Sequence, residues 1–364
     1  MELLVLATDY PKNNEDPSLM YIHTRNQYYA KNNIKVTVLN FKTHRSYKID
    51  NINVISLQEY KKNPKLFDIL VSHAPNLRNH FFFLNKYGKN FPATVFFFHG
   101  HEVLQISEVY PKPYDYIKSS PIISQMIRNL YDEIKFKVWK KYFTKTISKS
   151  YFVFVSNWMF HMFLKYIKLD ALIIEPRTQI IPNAIGKNFE SSIYDINADK
   201  KYDFITIRNN LDGAKYCIDL VTNIALCNPK YTFCVIGKGN FYKYNKKPEN
   251  LLWINKNLDH SEVIRYLNIS RCALMPTRTD SQGVMACEIA TFGMPLITSN
   301  IDVCEEIFCG FKNVFFIDNE IKNINLDSIY SDIKKWQMKG KNLKYFSENT
   351  MLKEINLFQR ILNG

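Results

Sequence analysis

The chain has 364 residues, 46% of them hydrophobic and 15% aromatic, a globular composition on a length that suits two domains rather than one core. Lys and Arg number 48 against 34 Asp and Glu, a formal net charge of +14. That charge is compatible with nucleic acid, an anionic membrane surface or general lysine enrichment, but no RNP aromatics, Gly-x-x-Gly clamp or zinc finger is present, so nucleic acid is not expected. No apolar run approaches the roughly 18 residues of a membrane span, and the opening MELLVLATDYP reads as a strand and a turn, not a secretory signal. The seven cysteines all fall in the second half without C-x-x-C spacing, which predicts free, mostly buried thiols in a reducing cytoplasm.

In chain order, a buried strand is expected at 3–7, then a polar loop at 8–17 and a helix ending near Asn32. Strands follow at 35–39 and 68–71. The run Ala93-Thr-Val-Phe-Phe-Phe98 is continuously apolar, as a strand buried on both faces of a parallel sheet must be, and it ends in His99-Gly100-His101-Glu102. Between 127 and 149 lies a candidate basic amphipathic helix. Ile127, Tyr131, Ile134, Val138 and Tyr142 form its apolar stripe, and Lys137, Lys141 and Lys145 line another face. Strands at 151–155 and 179–181 lead into Pro182-Asn183-Ala184.

The second half repeats the plan. A strand at 203–207 runs into Arg208-Asn-Asn-Leu-Asp-Gly-Ala-Lys215 and a helix over 216–227. A strand at 232–236, a short strand at 251–254 and a helix at 260–268 come next. Alternating strands and helices predict doubly wound sheets, with ligands at the carboxyl ends of the strands.

The segment 275–300, MPTRTDSQGVMACEIATFGMPLITSN, carries the sharpest functional signal. It reads as strand, polar turn, helix 284–292, a Gly-Met-Pro stop and another strand. Asp280 sits on the turn and Glu288 inside the helix, which opens at Gly283. Free amides and the positive end of a helix dipole make that opening an anion site, and a carboxylate deeper in the helix can accept bonds from ribose hydroxyls.

Pro276-Thr277-Arg278, Asp280-Ser281-Gln282-Gly283, Glu288-Ile289-Ala290 and Gly293-Met294-Pro295-Leu296-Ile297 together resemble the signature of the retaining group 1 glycosyltransferases (family 4). These are GT-B enzymes with a Glu–seven residues–Glu motif. Asp280 stands where the first Glu is usual and Gln282 where Phe is usual. The resemblance implies an α/β GT-B fold, two Rossmann-like doubly wound domains facing across a cleft. It sets an acceptor-side domain over 1–183, a nucleotide-sugar domain over 184–346 and a terminal helix, 347–364, packing back on the first domain. Tail residues 348–362 show apolar residues at helical spacing.

The resemblance also assigns roles. Arg208 and Lys215 would neutralise the departing diphosphate, although Ile207 and Tyr216 replace the glycines usual beside them. Glu288 would hold the ribose and Asp280 the transferred sugar, and the backbone amides of Ser281, Gln282 and Gly283 would meet sugar or phosphate. His99 would lie beside the sugar as a neutral imidazole, with His101 and Glu102 beyond it toward the acceptor. The stretch 256–258 resembles the base-contacting loop, with Lys256 for the usual Gly; uridine is the commonest base in the family. The loop 8–17 lacks the family's glycines and is assigned no catalytic residue. His99-x-His101 without a third ligand predicts no metal site, and neither metal nor cofactor is expected.

The sequence therefore predicts a cytoplasmic, metal-independent retaining glycosyltransferase. It would move a sugar from a nucleoside diphosphate sugar, UDP-linked by the family's habit, to a hydroxyl of a surface glycan or lipid-linked saccharide. Peripheral contact with an anionic membrane surface through the helix 127–149 is a further expectation. The rivals are a GT-B sugar-nucleotide epimerase and a non-catalytic basic protein that binds membranes or polyanions.

Overall fold

The computed structural model describes residues 1–13, 19–117, 122–337 and 340–364. Of the loop 8–17, positions 14–17 lie outside the described residues. The chain forms two compact units: Met1–Ile106, Ile127–Ala184 and Ser347–Gly364 make the first, Ser107–Met126 and Ile185–Phe346 the second.

The first unit holds β1 (Glu2–Ala7), β2 (Lys35–Asn40), β3 (Tyr47–Ile49), β4 (Ile52–Ser56), β5 (Ile69–His73), β6 (Ala93–Phe98), β7 (Ser150–Phe154) and β8 (Thr178–Ile180). They form one sheet in the order β3-β4-β2-β1-β5-β6-β7-β8, parallel except for the β3–β4 hairpin. All six residues of β6 are buried. Val95 and Phe97 join the aliphatic core with Leu3, Val5 and Val71, and Phe96 and Phe98 meet Phe143 on the helix Ile122–Thr146. The β3–β4 hairpin, unread in the sequence, turns at Asp50 and Asn51 with φ of +45° and +66°. Two successive positive φ values suit the right-handed twist of a two-residue hairpin, and Asp and Asn tolerate them.

The terminal helix Met351–Asn363 packs Ile355, Leu357 and Phe358 into this core. A buried ion pair fixes it to the helix Met20–Lys31: Arg25 Nε donates to Glu354 Oε1 at 3.0 Å, with the two side chains 1% and 0% exposed. Arg25 Nη2 donates to Asn183 Oδ1 at 2.8 Å, and the Tyr29 hydroxyl donates to the second Glu354 oxygen. Such a pair is stable in an apolar core only when its remaining polar atoms are bonded as well.

The expected apolar stripe of the helix 127–149 is divided by its surroundings. Tyr142 is buried and Val138 half-buried, whereas Ile127, Tyr131 and Ile134 are exposed. The helix is longer at its start than expected, Ile122–Thr146, so its two ends meet different environments.

The second unit holds β9 (Tyr202–Asn210), β10 (Phe233–Lys238), β11 (Leu251–Ile254), β12 (Ser270–Leu274), β13 (Leu296–Ser299) and β14 (Val314–Ile317). The order is β11-β10-β9-β12-β13-β14, parallel throughout. The chain winds outward from β9 to β11 on one side, then returns to β12 on the other. The β9/β12 boundary is thus the topological switch point, where a doubly wound sheet opens a crevice at its carboxyl edge.

The boundary drawn from sequence, 1–183, needs one correction. Ser107–Met126 belongs to the second unit. Tyr114 and Tyr116 hold it there: their hydroxyls donate to Asp219 Oδ1 at 3.0 Å and Asp212 Oδ1 at 2.8 Å, and both rings pack on Phe241.

Candidate active site

At the switch point Arg208 stands two residues before the carboxyl end of β9, and it is only 8% exposed. Its carbonyl lies so close to Gly237 that a Cβ there would come within 1.9 Å of it, so β10 must carry glycine at that position. The guanidinium Nη2 donates to the Pro276 carbonyl at 2.8 Å, and the Tyr216 ring centre lies 4.9 Å from the guanidinium carbon. Nε has no acceptor among the described residues. Burial disfavours the charge and the nearby Asp280 carboxylate favours it, with burial the larger effect. Arginine does not give up its proton in proteins, so a buried cation with an unused donor faces the crevice.

Lys215 stands on the adjoining loop, its Nζ 4.8 Å from the same Tyr216 ring. Tyr216, which stands where the family's glycine is usual, thus has both cations within 5 Å of one aromatic ring. The loop is tied to the motif turn: the Lys215 carbonyl accepts from the Arg278 amide at 2.9 Å and from Thr277 Oγ1 at 3.1 Å. Arg278 adds Nη1 to the Ala214 carbonyl at 2.7 Å and a fork onto Asp219 at 3.0 and 2.6 Å. Burial raises the Asp219 carboxyl, but the bonds and charge of Arg278 outweigh it and hold the group below the usual range.

Asp280 closes its own turn. Its Oδ1 accepts the Ser281 amide at 2.8 Å and, more weakly, the Gln282 amide at 3.5 Å. Two of the three amides expected to meet a sugar or phosphate, those of Ser281 and Gln282, therefore already bond to this carboxylate. Gln282 itself is 3% exposed and points inward, with Nε2 3.9 Å from Cys287 Sγ. Its side chain is a core group, because a polar turn residue beside a buried cysteine finds its weak partner there. Gly283 has φ +70°, a left-handed conformation that other residues adopt only with strain. From it the helix Val284–Phe292 starts with no side-chain cap; the Ala286 amide donates to the Gly283 carbonyl at 2.9 Å, which leaves the Val284 and Met285 amides as the first-turn donors for an anion.

Glu288 is buried one turn into that helix, 5% exposed. Its Oε1 accepts the Gly186 amide at 3.0 Å. Burial pushes the carboxyl up to about 7, against the lowering effect of that amide. A Cβ on Gly186 would lie 3.1 Å from Glu288 Oε1 and 3.4 Å from His260 Cε1, so glycine keeps a small opening between them.

The second unit thus brings together Arg208, Lys215, Asp280, Ser281, Gln282, Gly283 and Glu288, while His99 belongs to the first unit. His99 Nε2 is 3.2 Å from His73 Nδ1, and Asn183 supplies a further hydrogen bond. Burial first, then the Arg25 charge, holds its pKa well below the ordinary histidine value, so the ring is neutral. Glu102, expected to face an acceptor, is instead buried and caps its own turn: Oε1 accepts the His99 amide at 3.2 Å and Oε2 the Gly100 amide at 2.5 Å. Its short reach back to amides three and two residues earlier satisfies both oxygens locally. His101 is exposed. Among the described residues no three His, Cys, Asp or Glu side chains gather as a metal would need.

Sequence reasoning missed Tyr216, Asp219, Gly186 and His260 as parts of this site. Only Gly186 offered a signal, a small residue three positions after Asn183 in the linker.

Residues 188–351 match the family described as Glycosyl transferases group 1. A protein from Klebsiella pneumoniae, described as an uncharacterized 41.2 kDa protein in the cps region, is 22% identical over 233 residues. That alignment covers 60% of this chain and 63% of the relative, so the chain spans just under two thirds of its length. Among solved structures, sucrose-phosphate synthase from Thermosynechococcus elongatus superimposes with a TM-score of 0.71 at 11% identity, covering 100% of this chain and 99% of that one. A glycosyltransferase from Rickettsia africae gives 0.67 at 12%, covering 100% and 99%. Anabaena HepE, solved with UDP and glucose, gives 0.62 at 10%, covering 100% and 98%. Residues 188–351 are thus similar to the group 1 glycosyl transferases, and the two parallel α/β units have the GT-B fold.

Proposed function

We propose that the chain transfers a sugar with retention from a nucleoside diphosphate sugar, UDP-linked, to a hydroxyl of a surface glycan or lipid-linked saccharide, without a metal and in the cytoplasm. The observation that carries this reading is Arg208, a buried guanidinium with an unused Nε at the crevice of the switch point. A diphosphate is the ligand that would use both that donor and the Lys215 ammonium on the same ring. UDP and glucose in Anabaena HepE support the donor class, and a relative from a cps region supports a glycan product.

In this mechanism the bond between the anomeric carbon and the diphosphate oxygen breaks as Arg208 and Lys215 take up the developing negative charge. The uncapped first turn of Val284–Phe292 adds its dipole to them. The acceptor oxygen bonds to the anomeric carbon on the same face, and its proton passes to a phosphate oxygen. Glu288 holds the ribose hydroxyls once ionised, and the second carboxylate oxygen of Asp280 receives a hydroxyl of the transferred sugar. His99 acts as a neutral hydrogen-bonding ring, not as an acid or base.

Calorimetry with UDP, GDP and ADP tests the donor site, with Glu288→Ala and Arg208→Met as controls. Micromolar binding of UDP that both variants lose supports the proposal. Absence of binding to all three nucleotides in folded protein would overturn it. Incubation of a bound donor with acceptor mixtures then separates glycan extension from epimerised nucleotide sugar.

A further inference from the structure

Residues 107–117 belong to the second unit, although the chain enters them from the first. From Pro111 to Tyr114 they form neither helix nor strand. Pro111 and Pro113 fix φ at two of these positions and disfavour helical backbone at Tyr110 and Lys112. The run Tyr110-Pro111-Lys112-Pro113-Tyr114-Asp115-Tyr116 is therefore a stiff strap, and its three tyrosines all meet the segment 212–219 that follows β9. Tyr116 bonds to Asp212, whose Oδ1 also accepts the Asn240 amide at 2.8 Å. The Tyr114 hydroxyl donates to Asp219 and accepts the Ile218 amide at 3.1 Å. Ile218 opens the helix Ile218–Cys227, which has no side-chain cap from Cys217 before it, so Tyr114 satisfies one of its first-turn donors from outside. Lys215 stands between Asp212 and Asp219 in sequence, and the ring centre of Tyr110 lies 5.6 Å from its Nζ.

One ammonium thus has two rings beside it, Tyr216 at 4.8 Å and Tyr110 at 5.6 Å, both inside the roughly 6 Å reach of a cation–π contact. A carboxylate partner would hold the ammonium but offset its charge against an incoming anion. Aromatic faces hold it and leave the charge and the N–H donors to a ligand. A lysine is otherwise a loosely placed charge, because its four-carbon stem samples rotamers that must be frozen when a ligand is bound. We propose that Tyr110 is a positioning residue: with Tyr216 it holds the Lys215 ammonium in place before the donor arrives, so that the diphosphate meets a cation already set beside Arg208. The inference rests on the donor site proposed above and adds to it a residue outside the motif segment and outside the residues that match the family.

A double-mutant cycle read by calorimetry decides it, with whichever of UDP, GDP and ADP the wild type binds as the probe. Tyr110→Leu is expected to weaken binding about 2- to 10-fold, the cost of immobilising one long side chain at binding. Tyr110→Phe keeps the ring and is expected to return affinity to within about two-fold of wild type. In a Lys215→Met background Tyr110→Leu is expected to cost nothing further, because no ammonium remains to be held. An equal loss in both backgrounds would overturn the proposal, since Tyr110 would then touch the ligand itself or merely support the fold. So would a phenylalanine variant as weak as the leucine one, because the hydroxyl and not the ring would then matter. A wild type that binds none of the three nucleotides overturns the donor reading and this inference with it, whereas binding that Tyr110→Leu leaves unchanged overturns this inference alone.

Discussion

Glu288→Gln isolates the central carboxylate, because Gln keeps its shape and an oxygen for the Gly186 amide but removes the charge. In the folded chain burial pushes the Glu288 carboxyl from 4.5 up to about 7. Between those values the native state holds a proton that the unfolded chain has lost, so stability falls as pH rises through this window. Over the full window the penalty is about 3 kcal/mol at 1.36 kcal/mol per pH unit. The wild type carries all of it above pH 7 and almost none below pH 4.5, whereas the glutamine variant carries none at any pH. For a unit of this size about 3 kcal/mol corresponds to roughly 6–12 °C. Thermal unfolding from pH 5 to 8.5 is expected to show the variant gaining on the wild type by that amount as pH rises. Calorimetry at pH 8 is expected to show UDP binding weakened about 10- to 100-fold, the loss of a hydrogen bond to a charged group. Wild-type affinity should itself rise with pH through 7, as the carboxylate proposed to accept the ribose hydroxyls forms. A stability difference independent of pH, or UDP affinity unchanged in the variant, would refute the assignment.

Arg208→Met removes the unused Nε donor and the charge while filling the same space; UDP affinity is expected to fall about 100-fold, and isothermal titration checks it. Gly186→Ala places a Cβ 3.1 Å from Glu288 Oε1 at a backbone φ of −67° that alanine accepts. The variant should fold normally yet bind UDP several-fold more weakly, and equal affinity would show that this opening does not matter. Glu354→Gln removes the charge paired with the fully buried Arg25 and is expected to destabilise the first unit by about 3–5 kcal/mol. Urea unfolding should record that loss while UDP binding, assigned to the second unit, stays at the wild-type value.

Much of this molecule is legible from local pattern. The apolar run 93–98 becomes β6 with every residue buried, and the helix 284–292 starts and stops where Gly283 and Gly293 adopt left-handed backbone. Strand and helix types follow from periodicity and from glycine's freedom at positive φ, both properties of a few neighbouring residues. The motif segment likewise marked the switch-point crevice, because strand–turn–helix order places its turn at a carboxyl edge whatever the rest of the sheet does. The directions of side chains were not legible. Gln282 turns to Cys287, Glu102 folds back on His99 and Gly100, and Asp280 takes the Ser281 and Gln282 amides, since each polar atom bonds to whatever partner the packed chain leaves nearest. Pairings across long stretches, Arg25 with Glu354, Tyr114 with Asp219, Gly186 with Glu288, exist only once distant segments meet. Periodicity told which residues of Ile122–Thr146 share a face, but only the tertiary structure decided which face meets the core and which meets solvent. A stripe of apolar side chains specifies that it must leave water, not what it must leave water for.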